Sequence, residues 1–197
     1  MISVVESEIK FLVNEDDALR FINANRITSN GVKMIAYYDA AGVLAKKRAT
    51  YRRYFSKNVL LDEIKTVDSW SLTNRVCLER RAPAVHQDQD LLRQTLSESD
   101  VDVSIVHAVK DLTSDTDFVL HLKDTLTVNR HLIAVDSFRD MFDVDLCESD
   151  SGIKFCEIEF ESHDHDQLRS ASEYITRFCQ TATKSDMTKR ERVRIKR

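Results

Sequence analysis

Proline and glycine are nearly missing from this chain, with one Pro and three Gly in 197 residues. So few backbone breakers exclude Pro- or Gly-rich linkers and point to long regular elements. Cysteine is also scarce. Cys77, Cys147, Cys156 and Cys179 lack paired metal-ligand spacing and are too few for a secreted disulfide scaffold, so reduced thiols in a cytoplasmic protein are expected. No apolar run approaches the roughly 18 residues that a membrane-spanning helix needs. The N-terminus has no signal-peptide pattern, and no membrane partner is expected. Internal repeats of solenoid type are absent. A formal net charge of −4 excludes a global pull toward nucleic acid, although the closing "KRERVRIKR" is locally basic.

What the chain does have is charge alternating with apolar residues. Hydrophobic residues make up 42% and charged residues 31%. That is enough for one core, expected over residues 1–183, with a basic tail over 184–197. In "VVESEIKFLV", Glu6, Glu8 and Lys10 alternate with Ser7, Ile9 and Phe11. The same period of two recurs in "IKFCEIEFES" (Glu157, Glu159, Glu161) and "MFDVDL" (Asp143, Asp145). It recurs again in "LLDEIK" (Glu63, Lys65) and "RVCLE" (Arg75, Cys77, Glu79).

Between these runs, "NEDDALRFINANR" reads as a helix capped by Asn14. Asn30-Gly31 reads as a turn before the strand "VKMIAYYDA". "ATYRRYF" and "NVLLDEIKT" read as strands, His86 to Ser114 as two helices broken near Ser97 to Asp100, and "FVLHLKDTLTV" and "RHLIAV" as separate strands. "HDHDQLRSASEYITRFCQTA" has the apolar stripe of an amphipathic helix. The expected class is α+β, mostly antiparallel strands with helices outside. One wet face is ordinary for an antiparallel strand. A set of them, with acidic strands at both ends of the chain and basic strands between, predicts more. If the sheet closes with its helices outside, Glu, Asp, Lys and Arg must line the inside. Such a lumen binds ions, because unpaired buried charge is too costly. Carboxylates there suit Mg²⁺ or Mn²⁺, and Lys and Arg suit phosphate oxygens.

These residues resemble the CYTH, or triphosphate tunnel metalloenzyme, superfamily. Glu6-Ser7-Glu8-Ile9-Lys10 is similar to its E-x-E-x-K strand. "YYDA", "YRRY", "DEIK", "RVCLE", "FDVD" and "FCEIEFES" follow in the family's order, over roughly residues 1 to 180. The chain departs from the pattern at Tyr54, where the family has a second Arg, and at Cys77, which replaces an acid. Glu63 replaces Thr, and Asn129-Arg130 offers one basic residue.

The resemblance implies a closed antiparallel eight-stranded β-barrel, a tunnel with helices packed outside. It implies a metal-dependent hydrolase that removes the terminal phosphate of inorganic tripolyphosphate or a small organic or nucleoside triphosphate. Glu6, Glu8, Glu157 and Glu159 would hold Mg²⁺ or Mn²⁺. Lys10, Arg52, Lys65, Arg75 and Arg130 would hold the phosphates, and Glu79 or Asp145 would orient water or a second ion. An RNA 5′-triphosphatase, with the basic tail on RNA, stays open. So do a class IV-like adenylyl cyclase, a non-catalytic triphosphate binder, and either a monomer or a homodimer. Elsewhere, "SHDHD" with His163 and His165 reads as a helix N-terminus, and His107 and His121 as structural or exposed. Cys156 and Cys179 read as core residues, Trp70 equally as a loop anchor or a base-stacking residue, and the tail as a solvated helix end.

Overall fold

The computed structural model describes residues 2–56, 58–70, 75–86, 91–115 and 117–194. In chain order the elements are β1 (Ile2–Val13), α1 (Glu15–Ala24), β2 (Arg26–Asp39), α2 (Val43–Lys46) and β3 (Ala49–Ser56). Next come β4 (Val59–Trp70), β5 (Arg75–Pro83), β6 (Thr95–Ser97), α3 (Val103–Thr113) and β7 (Val119–Ala134). The chain continues with β8 (Phe142–Ser149), β9 (Lys154–Glu161), α4 (His165–Phe178), β10 (Thr183–Lys184) and α5 (Lys189–Arg194). Hydrogen bonding runs β1-β5-β4-β3-β2-β7-β8-β9, and β9 pairs back onto β1. The sheet is therefore a closed antiparallel eight-stranded barrel, to which β10 adds at β1 and β6 at β7. Closure leaves those eight strands no unpaired edge.

The chain divides into two compact units. The first consists chiefly of Met34–Asp68 and Cys77–Leu126, the second of Glu6–Lys33 and Thr127–Arg197.

In the second unit, period-two alternation sends Ile9, Phe11 and Val13 of β1 and Cys156, Ile158 and Phe160 of β9 into one core. Ala18, Phe21 and Ile22 of α1 and Leu168, Ala171 and Ile175 of α4 cover them. Phe21 centres an aromatic cluster, with ring centroids 5.4 Å from Phe142 and 5.2 Å from Phe178. Both helices start on acceptor side chains. Asn14 accepts from the Asp17 amide, and Asp164 from the amides of Asp166 and Gln167. "SHDHD" is thus the start of α4, and Cys156 and Cys179 lie in the core as the pattern predicts.

In the first unit, Ala36, Tyr38, Tyr51, Ile64 and Ala82 present the dry face. Leu44 of α2 and Ile105, Val106 and Val109 of α3 cover it. Helices α1 to α4 cover the apolar strand face of each unit, and most charged positions lie on the opposite one; the buried Arg53–Asp62 pair is an exception on the helix side.

Four local expectations fail. Gly31 has no positive φ, and β2 runs straight through Asn30-Gly31, because strand pairing overrides the turn preference of that dipeptide. The two runs between Phe118 and Val135 join as one strand, β7, through Asn129-Arg130. Among the described residues, only the second of the two helices expected over His86 to Ser114 is present, as α3. Thr95–Ser97 pairs with β7 instead, and Glu98–Asp100 makes a 3-10 turn closed by a capping box. The basic tail is no solvated helix end: Lys189 and Arg190 are buried.

All four cysteines are buried, and none forms a disulfide. Among the described residues no helix is long and apolar enough to cross a membrane. Trp70 lies in β4, with its side chain outside the described residues.

Candidate active site

Two charged clusters occupy the strand faces turned away from the helices, one in each unit.

The cluster of the second unit is set by register. Lys10 of β1 stands opposite Glu159 of β9, which stands opposite Asp143 of β8. One row on, Leu12, Glu157 and Asp145 line up in the same way. Directly paired residues hold their side chains close together, so these charges must meet. Lys10 Nζ lies 2.6 Å from Glu159 and about 4 Å from both Glu8 and Glu157. Arg130 of β7 makes a two-pronged pair with Asp145 at 2.7 and 2.6 Å. It also reaches Glu159 at 3.4 Å and pairs with Asp143.

Two further cations come from the tail. Lys189 Nζ is 2.6 Å from Glu159, 2.8 Å from Glu157 and 3.0 Å from Asp145. Arg192 pairs with Glu157 and donates to Ser185 Oγ.

Glu8, Asp143, Asp145, Glu157 and Glu159 thus meet Lys10, Arg130, Lys189 and Arg192, which leaves the described cluster one negative charge in excess. Their protonation follows from that balance. Burial alone would push the Glu159 carboxyl up, but Lys10, then Lys189 and Arg130, outweigh it and hold it well below the usual carboxylate range. Burial likewise opposes ionisation of Asp145, and Lys189 and Arg130 win, so its pKa is lowered. At Asp143 burial wins over Arg130, with Glu159 and Asp145 adding to the rise, and the carboxyl is pushed up to about 6.

The donor set is all hard oxygen, which suits Mg²⁺ or Mn²⁺. Glu157 Oε2 is buried and takes no hydrogen bond; the charges of Lys189 and Lys10 hold it. Among the described residues no three side chains already converge as metal donors. The oxygens that would do so are drawn onto ammonium groups of the chain itself. Glu6 lies in β1 with its side chain outside the described residues.

In the first unit, Arg52 of β3 stands opposite Glu63 of β4 and pairs with it. Arg81 of β5 reaches Glu63 at 3.0 Å and also pairs with Glu79, and Lys65 is 3.9 Å from Glu79. Tyr54 donates to Glu63 at 2.9 Å, and its ring lies 5.5 Å from the Arg52 guanidinium and 6.0 Å from that of Arg81. Arg81 thus brings a second guanidinium beside Arg52 at Tyr54 and Glu63. Alternation Arg75, Cys77, Glu79, Arg81 along one face was the sequence signal for it. Arg75 lies in β5 with its side chain outside the described residues.

Three cations against two carboxylates make this cluster basic, and Arg81 has 39% of its side chain exposed. Such an arrangement can accept phosphate oxygens by exchanging internal carboxylates for external ones.

Burial would raise the Glu63 carboxyl. Arg52 and then Arg81 more than reverse this and hold it at about 2, against an ordinary 4.5. A lowered folded-state pKa gives stability that is present above the unfolded value and lost as pH falls through the folded one. We expect Glu63 to supply about 3 kcal/mol above pH 4.5, lost progressively toward about pH 2. Urea unfolding of the wild type and Glu63→Gln across that window checks this. The two acid limbs run parallel if Glu63 contributes nothing.

No protein-family model matches the chain, and no curated protein matches it in sequence. Solved structures do match. A Bacillus halodurans protein provisionally described as an adenylate cyclase superposes with a TM-score of 0.78 at 20% identity, over 98% of each chain. A Hippeastrum protein, first described as an adenylyl cyclase and reported to have dominant triphosphatase activity, gives 0.69 at 14% identity, over 96% of this chain and 95% of that one. A Pyrococcus horikoshii protein gives 0.61 at 13% identity, over 98% and 99%. Matches over nearly the whole length, together with strand closure and the order of the motifs, give the conclusion that this chain has the fold of the CYTH, or triphosphate tunnel, superfamily.

Proposed function

We propose that the chain is a metal-dependent hydrolase that removes the terminal phosphate of a triphosphate, either inorganic tripolyphosphate or a small organic or nucleoside triphosphate. The observation that carries this reading is the register-matched set of buried carboxylates on β1 and β9, where Glu8, Glu157 and Glu159 sit with Lys10. With Glu6, these carboxylates would hold Mg²⁺ or Mn²⁺. A divalent ion held there supplies charge neutralisation and a lowered pKa for water.

The chain's own residues do the rest. Lys10 and Arg130, with Arg52, Lys65 and Arg75, hold phosphate oxygens, and Arg81 joins them in place of the missing arginine. Positioning and charge stabilisation make up most of the work in phosphoryl transfer. Glu79 or Asp145 orients the attacking water. Four cysteines outside disulfides agree with action in the cytoplasm.

Cyclase chemistry is the second reading, favoured by the description of the Bacillus halodurans structure. The RNA reading loses support, because Lys189 and Arg192 turn to the chain's own carboxylates and leave the tail less charge for RNA.

Product analysis with ATP and Mn²⁺ separates the first two. Orthophosphate with ADP supports the hydrolase; pyrophosphate with a cyclic nucleotide supports the cyclase. Stabilisation by tripolyphosphate with no product of either kind would leave a binding module.

A further inference from the structure

Lys189 takes no part in the reading above, yet it makes three ion pairs. Its ammonium is 6% exposed and lies within 3.0 Å of Asp145, Glu157 and Glu159. Two of those three residues are the carboxylates assigned to the metal. An ammonium and a divalent cation cannot share the same oxygens at such distances, because each needs the lone pairs and each repels the other.

Strand β10 is two residues long, pairing Phe11 with Lys184 and Leu12 with Thr183, and one backbone bond joins Ser185 to Lys10. Helix α5 spans six residues, Lys189–Arg194, too short to be stable alone. Its sequence is basic, and Lys189 and Arg192 face the carboxylates while Val193 is fully buried. The charge pairs thus act together with the burial of Arg190 and Val193 in docking this turn of helix.

We propose that Lys189 is the built-in counter-ion of the carboxylate cluster, and that a divalent cation binds by displacing it, so that metal binding loosens the docking of the segment from Thr183 to Arg194. This deepens the metal assignment made above and rests on it, but it does not depend on which reaction follows. It accounts for two features together. The carboxylates are paired with the chain's own cations, so their burial is tolerable. The basic tail is folded inward although its composition favours water.

Calorimetric titration of the full-length wild type and Lys189→Met with MnCl₂ tests it, together with amide hydrogen exchange over 183–194 with and without Mn²⁺. We expect Lys189→Met to bind Mn²⁺ at least about tenfold more tightly, since a competing charge is gone. In the wild type, saturating Mn²⁺ should speed exchange over 183–194 and leave α4 unchanged. The exchange measurement needs no variant, so it decides the matter if Lys189→Met does not fold. Mn²⁺ binding with equal or weaker affinity in folded Lys189→Met, or unaltered exchange in the Mn²⁺-bound wild type, overturns the proposal and leaves the metal assignment standing. No Mn²⁺ binding by either protein overturns both.

Discussion

Glu159→Gln lowers metal-dependent phosphate release from tripolyphosphate by about three orders of magnitude. The residue sits where the second unit's charges converge. Its carboxylate meets Lys10 and Lys189, each at 2.6 Å, and Arg130 at 3.4 Å. The amide keeps the size and one acceptor oxygen but drops the charge that a divalent cation needs. The described cluster carries one excess negative charge, and the substitution removes it, so the cations left behind are still matched and the fold should survive. Circular dichroism and a thermal melt check that point. Glu148→Ala is the matched control. Glu148 pairs with Lys154 at 3.6 Å on the surface, with both side chains more than half exposed, and its loss should leave the rate unchanged. Equal rates for the wild type and Glu159→Gln would remove the basis of the metal assignment.

Asp62→Ala destabilises the protein by about 3–5 kcal/mol. Arg53 and Asp62 face each other across β3 and β4, on the helix side of the sheet, and both are wholly buried. Arg53 donates to Asp62 at 2.6 and 2.9 Å and to the Asp100 carbonyl at 3.0 Å. With the carboxylate gone, the guanidinium stays buried without its counter-charge. The gain from an intact buried pair is small, but breaking one side exposes the full desolvation cost. Urea denaturation at neutral pH measures the loss. Replacing both partners, Arg53→Met with Asp62→Leu, should recover most of it, because an apolar pair of similar volume leaves no orphan charge. A single-variant loss below about 1 kcal/mol would mean that water or another group solvates Arg53.

The two faces of the same strands explain how much of this was legible in the sequence. Alternation in β1 and β9 marks both the dry set Ile9, Phe11, Ile158 and Phe160 and the wet set Glu8, Lys10, Glu157 and Glu159, because a period of two is a local property. The pattern gave antiparallel strands with helices outside, and closure into a barrel was what the family resemblance, carried by the motif order, implied. Strand pairing is not local, and there the reading failed. Asn30-Gly31 has every local feature of a turn, yet β2 passes through it. The residues around Leu96 read as helix until β7 pairs with them.

Arg53 illustrates another limit. "YRRY" places one arginine on each face, and only packing tells that Arg52 joins the charged cluster while Arg53 enters the core. Lys189 was missed for a related reason. A run such as "KRERVRIKR" looks made for solvent. Its inward turn makes sense only once the excess of acid on β8 and β9 is counted as a demand for cations.

The central claim is that the buried carboxylates serve a metal-dependent attack on a triphosphate. Orthophosphate release from tripolyphosphate by the wild-type protein, followed with Mg²⁺, with Mn²⁺ and with a chelator, tests it most directly. The account predicts steady release with at least one of the two ions and none with the chelator. Release that is indifferent to the chelator, or no release under any condition by a folded protein, would contradict it.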